Sequence, residues 1–229
     1  ASDVYKRQGL QYTYKLNKKN TINIGAVYTL GRTLHGDAYK YHQTGAESNG
    51  SIYVQSQTGD TIPNPFKMPH TFGIGLTYVY DNRLTIGVDY TLQKWNTADL
   101  AWSKFNKESV EMNSRTKIAF GAEFVPSYIS HNYLKRIRYR MGAYYSSPYN
   151  KVSYTSPDTG TTSFQDGARE YGVSIGFGLP MFQSKSMLNI SGQYIKVSPK
   201  FKGLMEENYL RINIGLTFNE RWFMKWKVD

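Results

Sequence analysis

Hydrophobic and polar residues alternate with a period of two along most of the chain. Near its end, Leu210, Ile212 and Ile214 are apolar, whereas Arg211 and Asn213 occupy the positions between them. Successive side chains of a β-strand point to opposite faces of the sheet. The pattern therefore predicts a strand with one face in an apolar medium and the other in a polar one.

The same alternation recurs at regular intervals and predicts nine strands of roughly ten residues, the length that a tilted membrane-spanning strand needs. No apolar run reaches the ~18 residues of a membrane-spanning helix, and no segment of useful length shows a helical period. The alternating segments are residues 10–16, 22–30, 72–80, 84–92, 118–124, 137–145, 171–179, 188–194 and 210–218.

The connections between these segments alternate between short and long. The short connections are residues 17–20, 81–83, 127–135 and 182–185, and the long ones are residues 32–69, 95–113, 147–168 and 199–208. Outer-membrane barrels have short periplasmic turns at one end and longer extracellular loops at the other. The sequence thus predicts that all long connections lie on one side of a membrane.

A soluble β-sandwich is the alternative to a membrane barrel, because it also has alternating strands. Sandwich strands are commonly only about 5–6 residues long. Here the polar face is rich in Gly, Thr, Asn and charged residues, which suits a hydrated lumen. The 20 tyrosines and 15% aromatic residues include many near strand ends, as in an aromatic girdle. We therefore predict an all-β, antiparallel up-and-down transmembrane β-barrel.

The chain is expected to supply only part of this barrel. Residues 1–7 contain neither an initiator Met nor the apolar run of a signal peptide, and we expect them to be a non-native leader. Residues 8–229 are expected to be the C-terminal part of one barrel domain. Single-chain bacterial barrels have an even number of strands, so nine strands are expected to belong to a larger, even-stranded barrel.

Charge and cysteine content exclude some classes of function. The net charge of +11 comes from 28 Lys and Arg against 17 Asp and Glu. These basic residues are scattered through turns and loops rather than gathered into one stripe, which argues against a nucleic-acid partner. Mean hydropathy is −0.55, so the chain is polar on average. The absence of cysteine excludes disulfides and thiolate metal sites.

Several charged residues fall on the polar phase of the predicted strands and are expected to face the lumen. A lumen cation could hold the carboxylate of a ligand, and Arg138 and Arg140 are the strongest candidates for that role. The alternative is a lattice of ion pairs that stiffens the barrel interior. The predicted substrate-binding set is Arg138, Arg140, Lys117, Arg211, Asp89 and Glu123.

Other reactive residues carry less specific signals. His35 and His42 share a long connection with two acidic residues, which permits a metal site, but a solvated loop is the favoured explanation. No histidine has a serine and an orienting partner at a spacing that indicates a hydrolase. We therefore predict no enzyme activity, catalytic residue, metal or cofactor. Aromatic residues of the connections could gather an apolar ligand or simply pack the loops, namely Phe66, Trp95, Trp102, Phe105 and Tyr154.

The end of the chain resembles a known family. The run YLRINIGLTF, which ends in Phe218, resembles the C-terminal signal strand that the outer-membrane assembly machinery recognises. The segments GLPMFQSKSMLNISGQY and NERWFMKWKVD are similar to the C-terminal end of Bacteroidetes members of the FadL family of hydrophobic-compound transporters. This resemblance implies a barrel of about fourteen strands with an N-terminal plug. The plug and lateral exit of that family belong to the N-terminal half, so no functional residue is transferred.

The resemblance implies passive transport of long-chain fatty acids or other hydrophobic molecules across the outer membrane. The alternative hypothesis is a structural or secretion-system barrel subunit related to the same family. The expected partners are the lipid bilayer, lipopolysaccharide, a hydrophobic small molecule and, through the last strand, the outer-membrane assembly machinery.

Overall fold

The computed structural model describes residues 7–48, 51–64, 66–97, 111–155, 162–181, 186–199 and 205–218. These residues form β-strands and two short 3-10 helices, Trp95–Thr97 and Tyr133–Arg136. The strands are β1 (Arg7–Lys15), β2 (Asn20–Thr29), β3 (Arg32–Leu34), β4 (Asp37–Ser48), β5 (Ser51–Pro63), β6 (Phe66–Met68), β7 (Thr71–Tyr80), β8 (Leu84–Gln93), β9 (Arg115–Phe124), β10 (Arg138–Ser146), β11 (Lys151–Thr155), β12 (Thr162–Asp166), β13 (Ala168–Pro180), β14 (Met187–Pro199) and β15 (Glu207–Thr217).

Nine of these strands form one antiparallel sheet in the order β1-β2-β7-β8-β9-β10-β13-β14-β15. Each strand pairs with its neighbour along the sheet over nearly its whole length. This arrangement confirms the predicted all-β, up-and-down fold and its nine strands. Because neighbours are antiparallel, β1 and β15 run in the same direction, and these two strands do not pair with each other.

The short connections are ordinary turns whose residues explain their shape. Between β7 and β8, Asp81 and Asn82 both have a φ near +50°, which the favoured hairpin turns require of their central residues. The Arg83 amide closes this turn on the Tyr80 carbonyl oxygen at 2.9 Å. Between β1 and β2, the Asn17 side chain accepts two backbone hydrogen bonds, the usual role of Asn in a turn. The predicted tight turns at residues 17–20 and 81–83 are therefore present, whereas the one predicted at residues 182–185 lies outside the described residues.

The long connections contain more structure than the alternation predicted. Residues 32–69 were expected to be an irregular polar loop, but they hold a two-stranded β3–β6 ladder and a long β4–β5 hairpin. The hairpin has strands of 12 and 13 residues. A second two-stranded sheet, β11–β12, lies within the connection between β10 and β13. Both hairpins lie at the same end of the main sheet, which the general design of outer-membrane barrels makes the extracellular end.

The apolar face of the main sheet is not covered by any described part of the chain. Ile175, Ile214 and Phe177 are 62%, 73% and 42% exposed. Among the described residues, the buried apolar side chains are only Ile62, Val125, Ile137 and Ile195. A soluble sandwich would bury this face against a second sheet, so that alternative is wrong. No described helix is long and apolar enough to cross a membrane.

The polar face is the concave one. Arg140 on β10 donates a hydrogen bond of 2.8 Å to Asn189 on β14, although β13 lies between these strands. Likewise, Arg115 on β9 reaches Glu170 on β13 across β10. Alternate strands lie about 10 Å apart, and side chains bridge that distance most readily where the sheet curves towards them. The polar side is therefore the lumen wall, and the apolar side faces outwards.

Candidate functional site

The middle of the lumen wall is made of small and polar side chains. One residue from each barrel strand lies in a continuous row across the sheet, in the order Thr13, Asn23, Thr77, Gly87, Gly121, Gly142, Ser174, Gln193 and Arg211. Three neighbouring glycines expose backbone rather than side chain on this surface. Further along the sheet, a groove of about 390 Å³ lies on β1, β2 and β7, and Gly25 and Gly75 are among its lining residues. The wall at this level offers hydrogen-bonding groups and little apolar surface.

An ion-paired cluster holds the inner end of the wall, near the short turns. Glu123 accepts a hydrogen bond of 2.6 Å from Arg140 Nε and one of 3.1 Å from Arg138 Nη1. Arg140 also donates to the Asn189 side chain. The Arg138 guanidinium lies 5.8 Å from the centroid of the Tyr128 ring, in the connection between β9 and β10. Charge-assisted hydrogen bonds of this kind are stronger than neutral ones, so the cluster ties β9, β10 and β14 together.

A second polar cluster lies near the outer end of the wall. Arg115 Nε donates to Ser146 Oγ at 2.7 Å, and its Nη2 lies 3.6 Å from Glu170 Oε2. Tyr144 donates a hydrogen bond of 2.5 Å to the other Glu170 oxygen. The Lys117 ammonium lies 4.7 Å from the centroid of the Tyr144 ring. The two clusters thus fasten the strands at both ends of the polar wall.

Gly172 makes this outer cluster possible. A Cβ atom at this position would come within 2.0 Å of the Tyr144 ring. The ring therefore lies flat on the backbone of β13, where only a glycine leaves room for it. This contact directs the Tyr144 hydroxyl group to Glu170.

The structure brings together only part of the predicted substrate-binding set. Glu123, Arg138 and Arg140 form one cluster and use their charges on each other. Lys117 lies apart from them, on Tyr144. Asp89 on β8 and Arg211 on β15 make no ion pair among the described residues. All six residues belong to the polar phase of the sheet, and their proposed contact with a ligand stays a prediction.

The sequence reasoning missed Arg115 and Glu170, which carry the outer cluster. Arg115 lies two residues before Lys117 on the same phase of β9, and Glu170 lies two residues before Gly172 on β13. The period-two pattern therefore contained both residues. The predicted strands began too late to include them, at positions 118 and 171.

The histidines and the aromatic residues of the connections are dispersed. His70 accepts a hydrogen bond from the backbone amide of Gly31 and contacts the Tyr28 hydroxyl group. Within the described parts of the chain, no three His, Asp or Glu side chains are placed to hold a metal ion. Trp95 packs at 5.7 Å against the Tyr149 ring, and Phe66 is 61% exposed. Trp102, Phe105 and the Tyr154 side chain lie outside the described residues.

A curved antiparallel sheet with a polar concave wall, an uncovered apolar outer face and long loops at one end defines an outer-membrane β-barrel protein. Comparison with known proteins then identifies the family. The BamG family model matches residues 1–229, the whole chain, and the chain belongs to the BamG family. No curated protein matches it.

One solved structure is similar in fold, the TodX deltaS2S3 mutant, a monoaromatic hydrocarbon channel. The identity is 17% and the TM-score 0.50, and the match covers 92% of this chain and 48% of that one. The chain therefore spans about half the length of this channel. Together with the family match, the fold places the protein in the outer membrane. The predicted outer-membrane barrel is confirmed, and the expected membership of the FadL family stays a prediction.

Proposed function

We propose that the chain forms part of the wall of a non-catalytic barrel that serves as a structural subunit in outer-membrane assembly. Membership of the BamG family along the whole chain carries this proposal, because that family is related to outer-membrane assembly. The contact with the assembly machinery would include the last strand, β15. Lipopolysaccharide and the lipid bilayer would surround the apolar outer face.

The lumen wall supports this role. An apolar molecule that crosses a barrel needs an apolar path, because polar groups lose their water when it passes. The described wall instead presents glycine backbone, hydroxyl groups, amides and ion pairs. The cluster around Glu123 joins three strands, and both of its arginines already bind side chains of the protein. Such a wall suits a rigid scaffold better than a conduit for hydrocarbons.

Passive transport of long-chain fatty acids or other hydrophobic molecules is the second candidate. The similar fold of a monoaromatic hydrocarbon channel favours it. Two lumen cations, Lys117 and Arg211, make no ion pair among the described residues and could hold a carboxylate headgroup. Asp89 would then discourage anions from binding on the β8 side of the wall.

Depletion of the full-length protein in its own bacterium separates the two functions. If the protein serves assembly, the amounts of unrelated barrel proteins in the outer membrane fall before growth stops. Cells that carry the double variant Lys117→Gln/Arg211→Gln should then keep normal amounts of these proteins. If the protein is a transporter, depletion leaves the other barrels unchanged and removes saturable uptake of a labelled fatty acid. The double variant would then lose that uptake as well, which would refute the structural role.

A further inference from the structure

A small basic pocket lies at the extracellular rim of the barrel, where β2 ends and β7 begins. It has a volume of about 160 Å³ and is lined by Gly31, Arg32, Thr33, Lys67, Met68, Pro69, His70 and Thr97. That space equals roughly five water molecules, enough for a phosphate group. Among these described lining residues, three have basic side chains and none is acidic.

The backbone around Gly31 builds this pocket. A Cβ atom on Gly31 would come within 2.8 Å of the His70 amide nitrogen and 2.9 Å of the Met68 carbonyl oxygen. The close approach brings the ends of β2 and β7 together. It also lets the Gly31 amide donate to His70 Nδ1 at 3.2 Å. Because Nδ1 accepts this bond, the neutral ring carries its proton on Nε2, which is available as a donor.

The pocket lies on the lipid side of the rim. His70 and Phe72 share the apolar phase of β7 with exposed Ile74, and the Tyr28 ring stacks on His70 and contacts Phe72 at 4.9 Å. The Lys94 ammonium lies 5.6 Å from the centroid of the Phe72 ring. Aromatic side chains with cations beside them mark the headgroup level of a membrane. The rings of His70, Tyr28 and Phe72 therefore form a continuous row between the acyl region and the pocket.

The outer face of the sheet has a depression below this row of rings. Ala26 pairs in register with Leu10 and Ile74, and it precedes Tyr28 by two residues on the same face. A small side chain among these three large ones leaves a depression in the surface. A groove of about 700 Å³ is lined by Leu10, Ala26, Tyr28 and Phe72. An acyl chain can lie in such a dent while its headgroup reaches the rim.

We propose that this rim is a binding site for a phosphate group of lipopolysaccharide in the outer leaflet. Lys67 and Lys94 supply the charge, and the His70 ring donates a hydrogen bond. The Ala26 depression receives an acyl chain of the same molecule. Lipopolysaccharide rather than phospholipid is the occupant, because the site lies at the extracellular end and that leaflet is built of lipopolysaccharide. The inference depends on the outer-membrane location only and stands independently of the proposed function.

The test compares two charge-matched double variants of the full-length protein in detergent. Lys67→Gln/Lys94→Gln removes two positive charges at the rim. Lys18→Gln/Lys19→Gln removes two positive charges at the opposite end, in the turn between β1 and β2. Heat-modifiable migration in gels verifies that both variants fold. Binding is measured by native mass spectrometry with purified lipopolysaccharide, with its enzymatically dephosphorylated form, and with phosphatidylglycerol.

The rim variant should bind lipopolysaccharide roughly 30-fold more weakly than the unaltered protein, since each basic residue near a membrane surface contributes about 1 kcal/mol. Dephosphorylation should weaken binding by the unaltered protein to a similar extent. The turn variant should bind normally. Equal binding by the rim variant, or no effect of dephosphorylation, would overturn the site. Binding of phosphatidylglycerol as tight as that of lipopolysaccharide would overturn the assignment of the occupant. None of these results depends on whether the barrel acts in assembly or in transport.

Discussion

Replacement of Glu123 by Gln tests whether the inner lumen cluster is structural. The Glu123 carboxylate lies between two guanidinium groups, at 2.6 Å from Arg140 and 3.1 Å from Arg138. The three side chains are 26%, 38% and 33% exposed, respectively. The substitution removes the only negative charge of the cluster and leaves the two cations side by side. It should therefore lower the free energy of unfolding.

The size of the loss follows from the geometry. A hydrogen bond to a charged group contributes about 1.5–3 kcal/mol when it is shielded from water. Exposed ion pairs contribute only about 0.2–1 kcal/mol. Because the three side chains are partly exposed, about 1 kcal/mol for each of the two bonds is appropriate, and Glu123→Gln should cost about 2 kcal/mol.

The assay is reversible urea unfolding of the full-length protein in lipid vesicles, followed by tryptophan fluorescence. Asp89→Asn is the matched control, because it neutralises another lumen carboxylate, one that makes no ion pair among the described residues. It should change the free energy of unfolding by less than about 0.5 kcal/mol. A double-mutant cycle with Arg140→Gln should give a coupling energy of about 1 kcal/mol. If Glu123→Gln and Asp89→Asn have the same effect, the cluster does not stabilise the barrel, and Arg138 and Arg140 are again candidates for ligand binding.

Two further substitutions test the packing of the wall and the position of the lipid. Gly172→Ala should destabilise the protein by about 1–3 kcal/mol, because the new methyl group displaces the Tyr144 ring; Gly192→Ala, which meets no atom within 4 Å, should be neutral in the same urea titration. Ile175→Lys should cost about 2–4 kcal/mol, since that residue lies in the middle of β13 on the outer face. Ser174→Lys, one residue earlier and on the lumen side, should cost less than 1 kcal/mol, and equal costs for the two lysines would contradict the assignment of the faces.

The sequence predicts the barrel strands well because two media act on every strand. In β15, Leu210, Ile212 and Ile214 face the lipid, and the residues between them face the lumen. The period-two signal is therefore strong. The β4–β5 hairpin has no such contrast. Its Tyr39 and Tyr41 are both 63% exposed outside the barrel. A strand in water on both faces need not alternate, and the hairpin was predicted to be a loop for that reason.

The lumen contacts were only partly predictable. Glu123 and Arg140 lie directly opposite each other in register, so their pairing follows once β9 and β10 are neighbours. The bond from Arg140 to Asn189 crosses an intervening strand and depends on the curvature of the sheet. A single sequence contains no measure of that curvature. For the same reason, the sequence could not distinguish ion-paired arginines from arginines that are available to a ligand.

The charged residues of the lumen and those of the outer rim make different contacts, so substitutions at the two places should have different effects. At the inner end of the lumen, Glu123 is shared by two arginines, so a substitution there should change the stability of the barrel and leave the amount of bound lipid unchanged. At the outer rim, Lys67 lines the pocket and Lys94 lies over the Phe72 ring, and none of the described residues that line the pocket is acidic. Their removal should lower lipid binding without a large loss of stability, because neither lysine makes an ion pair among the described residues and cations near the surface contribute little to folding. If the rim variant instead unfolds in the urea titration as readily as Glu123→Gln, its lysines hold the ends of β2 and β7 together, and the basic pocket is part of the fold rather than a site for lipopolysaccharide.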